Sequence, residues 1–333
     1  MVAALTPRAA PTAPAIGDAV DLRLVVARRE PVADDVVRLT LADERGARLP
    51  AWMPGAHIDL TGPTGLVRQF SLCGDLEDYW RWQIAVLREP GGGRGGSVAV
   101  HDGVREGDRV PVTGPRNHFR LVDSPRYLFI AGGIGIAPLL PMIQLVDRED
   151  RPWRLAYGGR TPSSMAFLGD LQRYGDKVRV FPSQISGRMD LDALLAEAGS
   201  EVAVFCCGPT GLIDAVADRC SSLTSRPLRV ERFQPIVDPV LAARGASFTV
   251  ELARSRRKLW VADGQTIMEA MEVEGLSPAG SCREGTCGTC ETRVLAGTPD
   301  HRDSVLDASE QEEGETMMIC VSRSRTPELV LDA

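Results

Sequence analysis

Three cysteines within nine residues constrain this chain more than any other feature. They stand in Ser281-Cys282-Arg283-Glu284-Gly285-Thr286-Cys287-Gly288-Thr289-Cys290, spaced C-x4-C-x2-C. A fourth, Cys320, follows after 29 intervening residues in Met318-Ile319-Cys320-Val321. That is the plant-type ligand spacing of a [2Fe–2S] cluster, so Cys282, Cys287, Cys290 and Cys320 are the expected metal ligands. Gly285 and Gly288 lack Cβ atoms and are expected to let backbone N–H groups turn toward the sulfurs. The alternative is a non-catalytic protein with a four-cysteine zinc site. Such sites usually come as two C-x2-C pairs, and only one is present.

An electron carrier at the end of a 333-residue chain needs a source of electrons in the remainder. That length exceeds what one core serves, so two or three domains are expected. The charge is unevenly placed. From Ser247 to the end there are 16 acidic against 9 basic residues, while the preceding 246 residues hold 29 of each. The whole negative excess therefore sits on the cysteine-bearing segment. It reads either as a solvated acidic surface or as a field that steers a basic partner. No basic patch interleaved with aromatics argues for nucleic acid, and no apolar run is long enough to span a bilayer. The first twenty residues are rich in Ala, Pro and Thr, with one Arg and no apolar h-region. They read as a disordered tail rather than a signal peptide. Thiols at cluster spacing argue for a reducing compartment, so the cytoplasm is expected.

Residues 21–122 consist of short alternating or apolar runs: Leu22–Arg28, Val36–Leu41, His57–Leu60, Leu66–Leu72, Trp80–Leu87 and Arg109–Val112. Gly, Pro and Asp separate them, which predicts an antiparallel barrel or sandwich. Two features in it suit a flat, phosphorylated ligand. In Arg68-Gln69-Phe70-Ser71-Leu72 an Arg can fork onto phosphate, an aromatic can flank a ring and a Ser can hydrogen-bond a carbonyl. Gly91-Gly92-Gly93-Arg94-Gly95-Gly96-Ser97 leads into a short helix expected over Val98–Val104, and a helix start favours an anion. Either feature alone also fits an ordinary strand or surface loop; together they point to a flavin phosphate site. Gly114-Pro115-Arg116-Asn117-His118-Phe119 closes the segment as a turn. His57, His101, His118 and His301 have no second metal ligand at a useful spacing and read as structural or surface residues.

From 123 to 235 the texture changes to strand–helix alternation. Strands are expected at Tyr127–Ala131, Trp153–Tyr157, Val178–Phe181, Val202–Cys206 and Leu228–Glu231. Helices are expected up to about Val146, near Ser163–Gln172, near Leu191–Ala196 and from about Thr210 to Cys220. That alternation implies a parallel sheet with helices on both faces, binding ligands at the carboxyl ends of its strands. Gly132-Gly133-Ile134-Gly135 lies between a strand and a helix, where a pyrophosphate can meet helix-end N–H groups. It is not the G-x-G-x-x-G fingerprint, and no P-loop lysine follows. Cys206-Cys207-Gly208-Pro209 ends a second strand. Adjacent strand side chains point to opposite faces, so one cysteine faces the core and the other is available to a ligand. Cys73 and Cys220 read as core or surface residues. Arg160, at the end of the second parallel strand, reads either as a partner for a ribose 2′-phosphate or as a surface residue.

The strings RQFSL, GRGGS, GPRNHF, AGGIGIAP, CCGP, ERF and CREGTCGTC, in that order, resemble the phthalate dioxygenase reductase family of the ferredoxin–NADP reductase superfamily. The resemblance covers about residues 21–333. It implies a multidomain protein: a 1–20 tail, an antiparallel β-barrel FMN domain over 21–122, an α/β parallel-sheet NAD(P) domain over 123–235, a linker over 236–246 and an α+β plant-type ferredoxin (β-grasp) domain over 247–333. Family members carry FMN rather than FAD, use NADH or NADPH and pass single electrons through the cluster. By resemblance, Arg68, Gln69, Phe70 and Ser71 belong to the FMN site, Ala85, Val86 and Leu87 line its ring, and Gly95, Gly96 and Ser97 hold its phosphate. Gly132, Gly133, Gly135, Ala137 and Cys207 border the nicotinamide dinucleotide, and Phe233 covers the flavin ring. Two departures stand out: Phe70 replaces the usual Tyr and loses its hydrogen bond, and Ala137 replaces a common Thr.

The implied function is an NAD(P)H-dependent electron-transfer reductase, monomeric, serving a Rieske-type oxygenase or a haem-thiolate monooxygenase. A nicotinamide gives two electrons as a hydride and a [2Fe–2S] cluster takes one; a flavin does both, so no acid–base or nucleophilic residue is needed. An FAD-containing reductase for a different acceptor is the alternative within the same chemistry. The prolines of Pro235–Gly245 suggest a linker over which the cluster domain reorients between flavin and partner.

Overall fold

The computed structural model describes residues 19–89, 95–221 and 227–333. The expected tail up to residue 18 and the Gly91–Arg94 part of the glycine-rich run lie outside the described residues.

The first unit is an antiparallel sheet of six strands: β1 (Val20–Ala33), β2 (Val36–Ala42), β3 (His57–Thr61), β4 (Val67–Ser71), β5 (Arg81–Leu87) and β6 (Arg109–Arg116). Their order is β4-β3-β6-β1-β2-β5. A bridge between Leu72 and Ile84 joins the two outer strands, with Cys73 N–H donating to the Gln83 carbonyl at 2.8 Å, so the sheet curls into a barrel. Alternation fills it. Leu24, Leu39, Leu41, Ile58, Leu60, Leu72 and Ile84 point inward and are essentially inaccessible. The following helix, Gly96–Gly103, starts two residues earlier than expected and sends Val100 into this core.

The second unit is a parallel sheet of β7 (Tyr127–Gly132), β8 (Trp153–Gly159), β9 (Val178–Pro182), β10 (Ala203–Cys207) and β11 (Leu228–Glu231), in the order β11-β10-β7-β8-β9. Both central strands, β7 and β10, are buried throughout, as their near-continuous apolar sequences require. One face packs Phe129, Tyr157 and Phe205 beneath the helix Leu139–Arg148. The other packs Leu128, Ile130 and Val204 beneath Leu191–Ala198 and Thr210–Ser221. The helix expected near Ser163–Gln172 is broken instead. A 3-10 turn covers Pro162–Ser164 and one helical turn covers Leu168–Leu171. Phe167 between them has a φ of 64°, in the left-handed region that a right-handed helix cannot include.

The third unit has β12 (Phe248–Leu252), β13 (Arg257–Val261), β14 (Glu291–Ala296), β15 (Pro299–Asp300), β16 (Thr316–Met318), β17 (Arg323–Ser324) and β18 (Glu328–Leu331). The main sheet runs β13-β12-β18-β14-β16, with β12 and β18 parallel, and β15 pairs with β17 separately. The helix Ile267–Val273 lies on it, opened by a reciprocal cap. Thr266 Oγ1 accepts from Glu269 N–H at 3.1 Å, and Glu269 Oε2 accepts from Thr266 N–H at 2.9 Å. This is the β-grasp arrangement. The sequence leading into it is pinned down. Buried Arg323 donates to the carbonyls of Ala243 (2.5 Å), Ala246 (3.1 Å), Ala262 (3.2 Å) and Gln265. Arg302 donates to those of Ala242 and Arg244, each at 2.5 Å. Residues 242–246, within the stretch expected as a linker, are thus tied to the third unit. Among the described residues no helix is long and apolar enough to cross a membrane.

Candidate functional site

Strand β4 and the helix after β5 meet at one point. A Cβ on Gly96 would lie 2.5 Å from Arg68 Nε, so only a glycine lets the guanidinium rest against this helix start. Gly95, at the N-cap, has a φ of 75°, which glycine adopts without steric cost. Arg68, Gly95, Gly96 and half-buried Ser97 therefore share one corner, where a cation adjoins free helix-end N–H groups. Ala85 and Val86 are buried on β5 and Leu87 is half-buried, while Phe70 packs partly against the barrel core.

Across from this corner stand the carboxyl ends of β7 and β10. The Gly133–Ile136 segment turns as a short 3-10 helix followed by buried Ala137. A Cβ on Gly135 would come within 2.2 Å of the Cys207 carbonyl oxygen, and one on Gly132 within 2.6 Å of Pro209. Glycines here let the two strand ends close on each other; Gly133, with a φ of 54°, faces open space. Cys207 is wholly buried, in the layer opposite Cys206. Burial and the neighbouring Glu231 carboxyl push its thiol well above the ordinary range. Phe233 is 43% exposed.

Glu231, at the end of β11, reaches back to the barrel: Ser71 Oγ lies 3.2 Å from its Oε2. It is only half-buried by area, yet desolvation pushes its carboxyl up to about 8, against the pull of the Ser71 hydrogen bond. Sequence reasoning passed over Glu231, although it stands in the same ERF string as Phe233.

The cysteine loop is wound through left-handed positions at Arg283 (φ 58°), Gly285 (φ 68°) and Gly288 (φ 71°). Cys282, Cys287 and Cys290 of the loop, with Cys320, form no disulfides, and each is no more than 4% exposed. Glu284 N–H donates to Cys282 Sγ at 3.3 Å, and the Gly285 backbone bonds to Cys320. Contact with Cys282 and burial push the Cys287 thiol up. Cys320 is pulled down by Cys282 but pushed up further by Cys290 and burial. Sulfurs crowded together so that they resist losing protons suit a cation that replaces those protons, and N–H groups aimed at sulfur suit an anionic thiolate shell. Among the described residues no three such side chains converge on a single-ion position; a two-iron cluster shares its four thiolates between two metal ions and does not call for one.

Gly288 has a second reason to be glycine. A Cβ there would lie 2.1 Å from His118 Nε2 on the barrel. His118 stacks on His57, ring centroids 6.0 Å apart, and buried His57 bonds to the Cys287 backbone. Beside them Gln69 Nε2 donates to Asp59 Oδ1 at 2.7 Å and to Ser281 Oγ at 3.2 Å. Asp59 Oδ2 in turn accepts from Arg116 at 2.8 Å. The register pairs Asp59 with Gln69 and His57 with Ser71, which puts all four on one face of the β3–β4 ribbon. That single face meets the nucleotide sheet at Ser71 and the cysteine loop at Gln69 and His57. Arg229 and Asp307 form a further ion pair between the second and third units. Asp59 carried no distinctive sequence signal, and His118 and Ser281 stood in the GPRNHF string and the cysteine stretch with no site role read for either.

A family model described as a 2Fe-2S iron-sulfur cluster binding domain matches residues 250–325. The chain is 42% identical over 302 residues to the phenoxybenzoate dioxygenase subunit beta of Ectopseudomonas oleovorans, covering 90% of this chain and 93% of that protein. A solved phthalate dioxygenase reductase, described as a modular structure for electron transfer from pyridine nucleotides to [2Fe-2S], is 35% identical. It matches with a TM-score of 0.68 over 94% of this chain and 98% of its own. An intact type IV self-sufficient cytochrome P450 monooxygenase is 39% identical, with a TM-score of 0.88 over 94% of this chain. The chain spans 41% of that longer protein.

Proposed function

The chain belongs to the phthalate dioxygenase reductase family, and on that premise we propose how its own residues divide the work of an NAD(P)H-dependent electron-transfer reductase. Its cofactors are FMN and a [2Fe–2S] cluster, and its electrons go to an oxygenase. When bound, these groups supply the chemistry: the flavin takes a hydride and releases electrons singly, and the cluster carries them one at a time. The protein binds, orients and shields.

Arg68 with Gly95, Gly96 and Ser97 is the proposed phosphate hold. The proposal is supported by the contact between Gly96 and the Arg68 guanidinium. Ala85, Val86 and Leu87 line the ring, with Phe70 beside them. Gly132, Gly133, Gly135 and Ala137 offer close backbone approach to a dinucleotide, Cys207 forms the floor between the two strand ends, and exposed Phe233 is the lid. Glu231, neutral at pH 7 by virtue of its raised pKa, holds a proton at the Ser71 side of this crevice. Cys282, Cys287, Cys290 and Cys320 hold the iron. The acceptor is proposed to be an oxygenase component of the dioxygenase or haem-thiolate class, as the names of the relatives suggest. Eight buried cysteines, none in a disulfide, support a reducing, cytoplasmic setting.

One observation carries the reading: a single face of the β3–β4 ribbon touches both the nucleotide unit, at Glu231, and the cysteine loop, at Ser281. The test is Cys287→Ser. NAD(P)H should still bleach the flavin absorbance, while turnover of a one-electron acceptor falls at least a hundredfold. Undiminished one-electron turnover sinks the assignment of the cluster as exit port.

A further inference from the structure

Gln69 occupies a position that flavin binding does not explain. Its amide is spent on two partners, the Asp59 carboxylate and the Ser281 hydroxyl, at 2.7 and 3.2 Å. Asp59 is buried and paired with the Arg116 guanidinium. A carboxylate only accepts, so the NH2 end of Gln69 has to face it, and the same nitrogen donates to Ser281 Oγ. Ser281 accepts that bond and keeps its own proton to give away. Two acceptors are within its reach, Cys287 Sγ at 3.3 Å and Thr289 Oγ1 at 3.1 Å, and Thr289 Oγ1 itself lies 3.2 Å from the same sulfur. With Cys287 bound to iron as a thiolate, the sulfur accepts from both hydroxyls.

We propose that Gln69 is a positioning residue for the cluster: by donating to Ser281 it aims the Ser281 hydroxyl at Cys287 Sγ, so that the flavin barrel itself raises the reduction potential of the cluster docked on it. The inference rests on the reading of the four cysteines as a [2Fe–2S] site. Hydrogen bonds to cluster sulfurs stabilise the extra negative charge of the reduced form and so raise the potential. The hydrogen-bonded chain runs from Arg116 to Asp59, which accepts from both Arg116 and Gln69 and so fixes the Gln69 amide, and on from Gln69 to Ser281 and the sulfur. Its first three members belong to the barrel and its last two to the ferredoxin unit. The cluster is therefore a better acceptor when seated against the flavin strand than when lifted from it, and an electron is favoured to cross while the two are in contact. The rest of the seat, His57 and His118 against Cys287 and Gly288, fixes the loop at the height where this donation is made.

The test compares the native holoprotein with Gln69→Met, Ser281→Ala and the double variant, titrating the cluster potentiometrically and following its reduced form by electron paramagnetic resonance. Both single variants should lower the midpoint, by up to about 59 mV for a tenfold loss in the one-electron equilibrium. The double variant should sit no lower than Ser281→Ala, because Gln69 acts through that hydroxyl. A Gln69→Met midpoint equal to native, or a double variant lower by the sum of the two, overturns the proposal. A native protein without the [2Fe–2S] resonance overturns the cofactor assignment instead, and is told apart by its spectrum before any variant is made.

Discussion

Gln69 and Ser71 stand two positions apart on one face of β4, and they touch different units of the molecule: Gln69 reaches Ser281 of the cysteine loop and Ser71 reaches Glu231 of the parallel sheet. At the rise of a strand their Cα atoms are about 7 Å apart. The barrel's contacts with the parallel sheet and with the cysteine loop are thus neighbours on a single strand.

The desolvation of Glu231 beside Ser71 makes stability depend on pH. In the folded chain Glu231 keeps its proton up to about 8, whereas in the unfolded chain it loses it near about 4.3. Between these values the folded state binds more protons than the unfolded, so stability falls as pH rises and levels off above about 8. Glu231→Gln removes that slope. The native melting temperature should decline by about 5 °C relative to the variant between pH 5 and pH 8. Parallel melting curves across that range would count against a raised Glu231.

Gly288→Ala should let the cluster assemble but unseat it. The new methyl meets the His118 ring, which has to shift from its seat beside His57 to admit it. Stopped-flow traces should show flavin-to-cluster transfer slowed at least tenfold. Adding His118→Ala should restore part of the rate. The left-handed φ of 71° would still cost the alanine about 1 kcal/mol, so full recovery is not expected. A native rate in Gly288→Ala alone would mean that this packing does not set the electron step.

Arg323→Met should loosen the ferredoxin unit alone. The change removes the guanidinium donor from the Ala243, Ala246, Ala262 and Gln265 carbonyls. Ala243 and Ala262 keep the N–H groups of Gly264 and Gln265, so what is lost is a set of charge-assisted hydrogen bonds, at a cost of about 2 kcal/mol or more. In a guanidinium titration the cluster absorbance should be lost at clearly lower denaturant than in the native chain, and the flavin fluorescence transition should stay in place. Coincident cluster transitions would show the clamp to be dispensable.

The cysteine loop was legible because its pattern is local: cysteines at fixed spacing, with glycines where the backbone must turn. The parallel sheet was legible for the same reason, since buried central strands write themselves as apolar runs such as Tyr127–Ala131. What could not be read was docking. Gln69 meets Ser281 across 212 positions and Ser71 meets Glu231 across 160, and nothing in the composition of either stretch announces the other. Gly288 was assigned to the sulfurs, yet the barrel's His118 also demands a glycine there. Phe167 shows the converse: its neighbours have helical composition, but its left-handed backbone breaks the helix.

The arginine clamp also fixes how far the ferredoxin unit can travel. Arg302 and Arg323 hold residues 242–246, and Val237 already packs on the ferredoxin core. On the other side Arg232 is tied to Asp214. Only residues 233–236 remain as slack, and fully stretched they span about 14 Å. The unit is on a leash too short to act as a detached shuttle. An oxygenase has to come to the whole three-part body and collect its electron there.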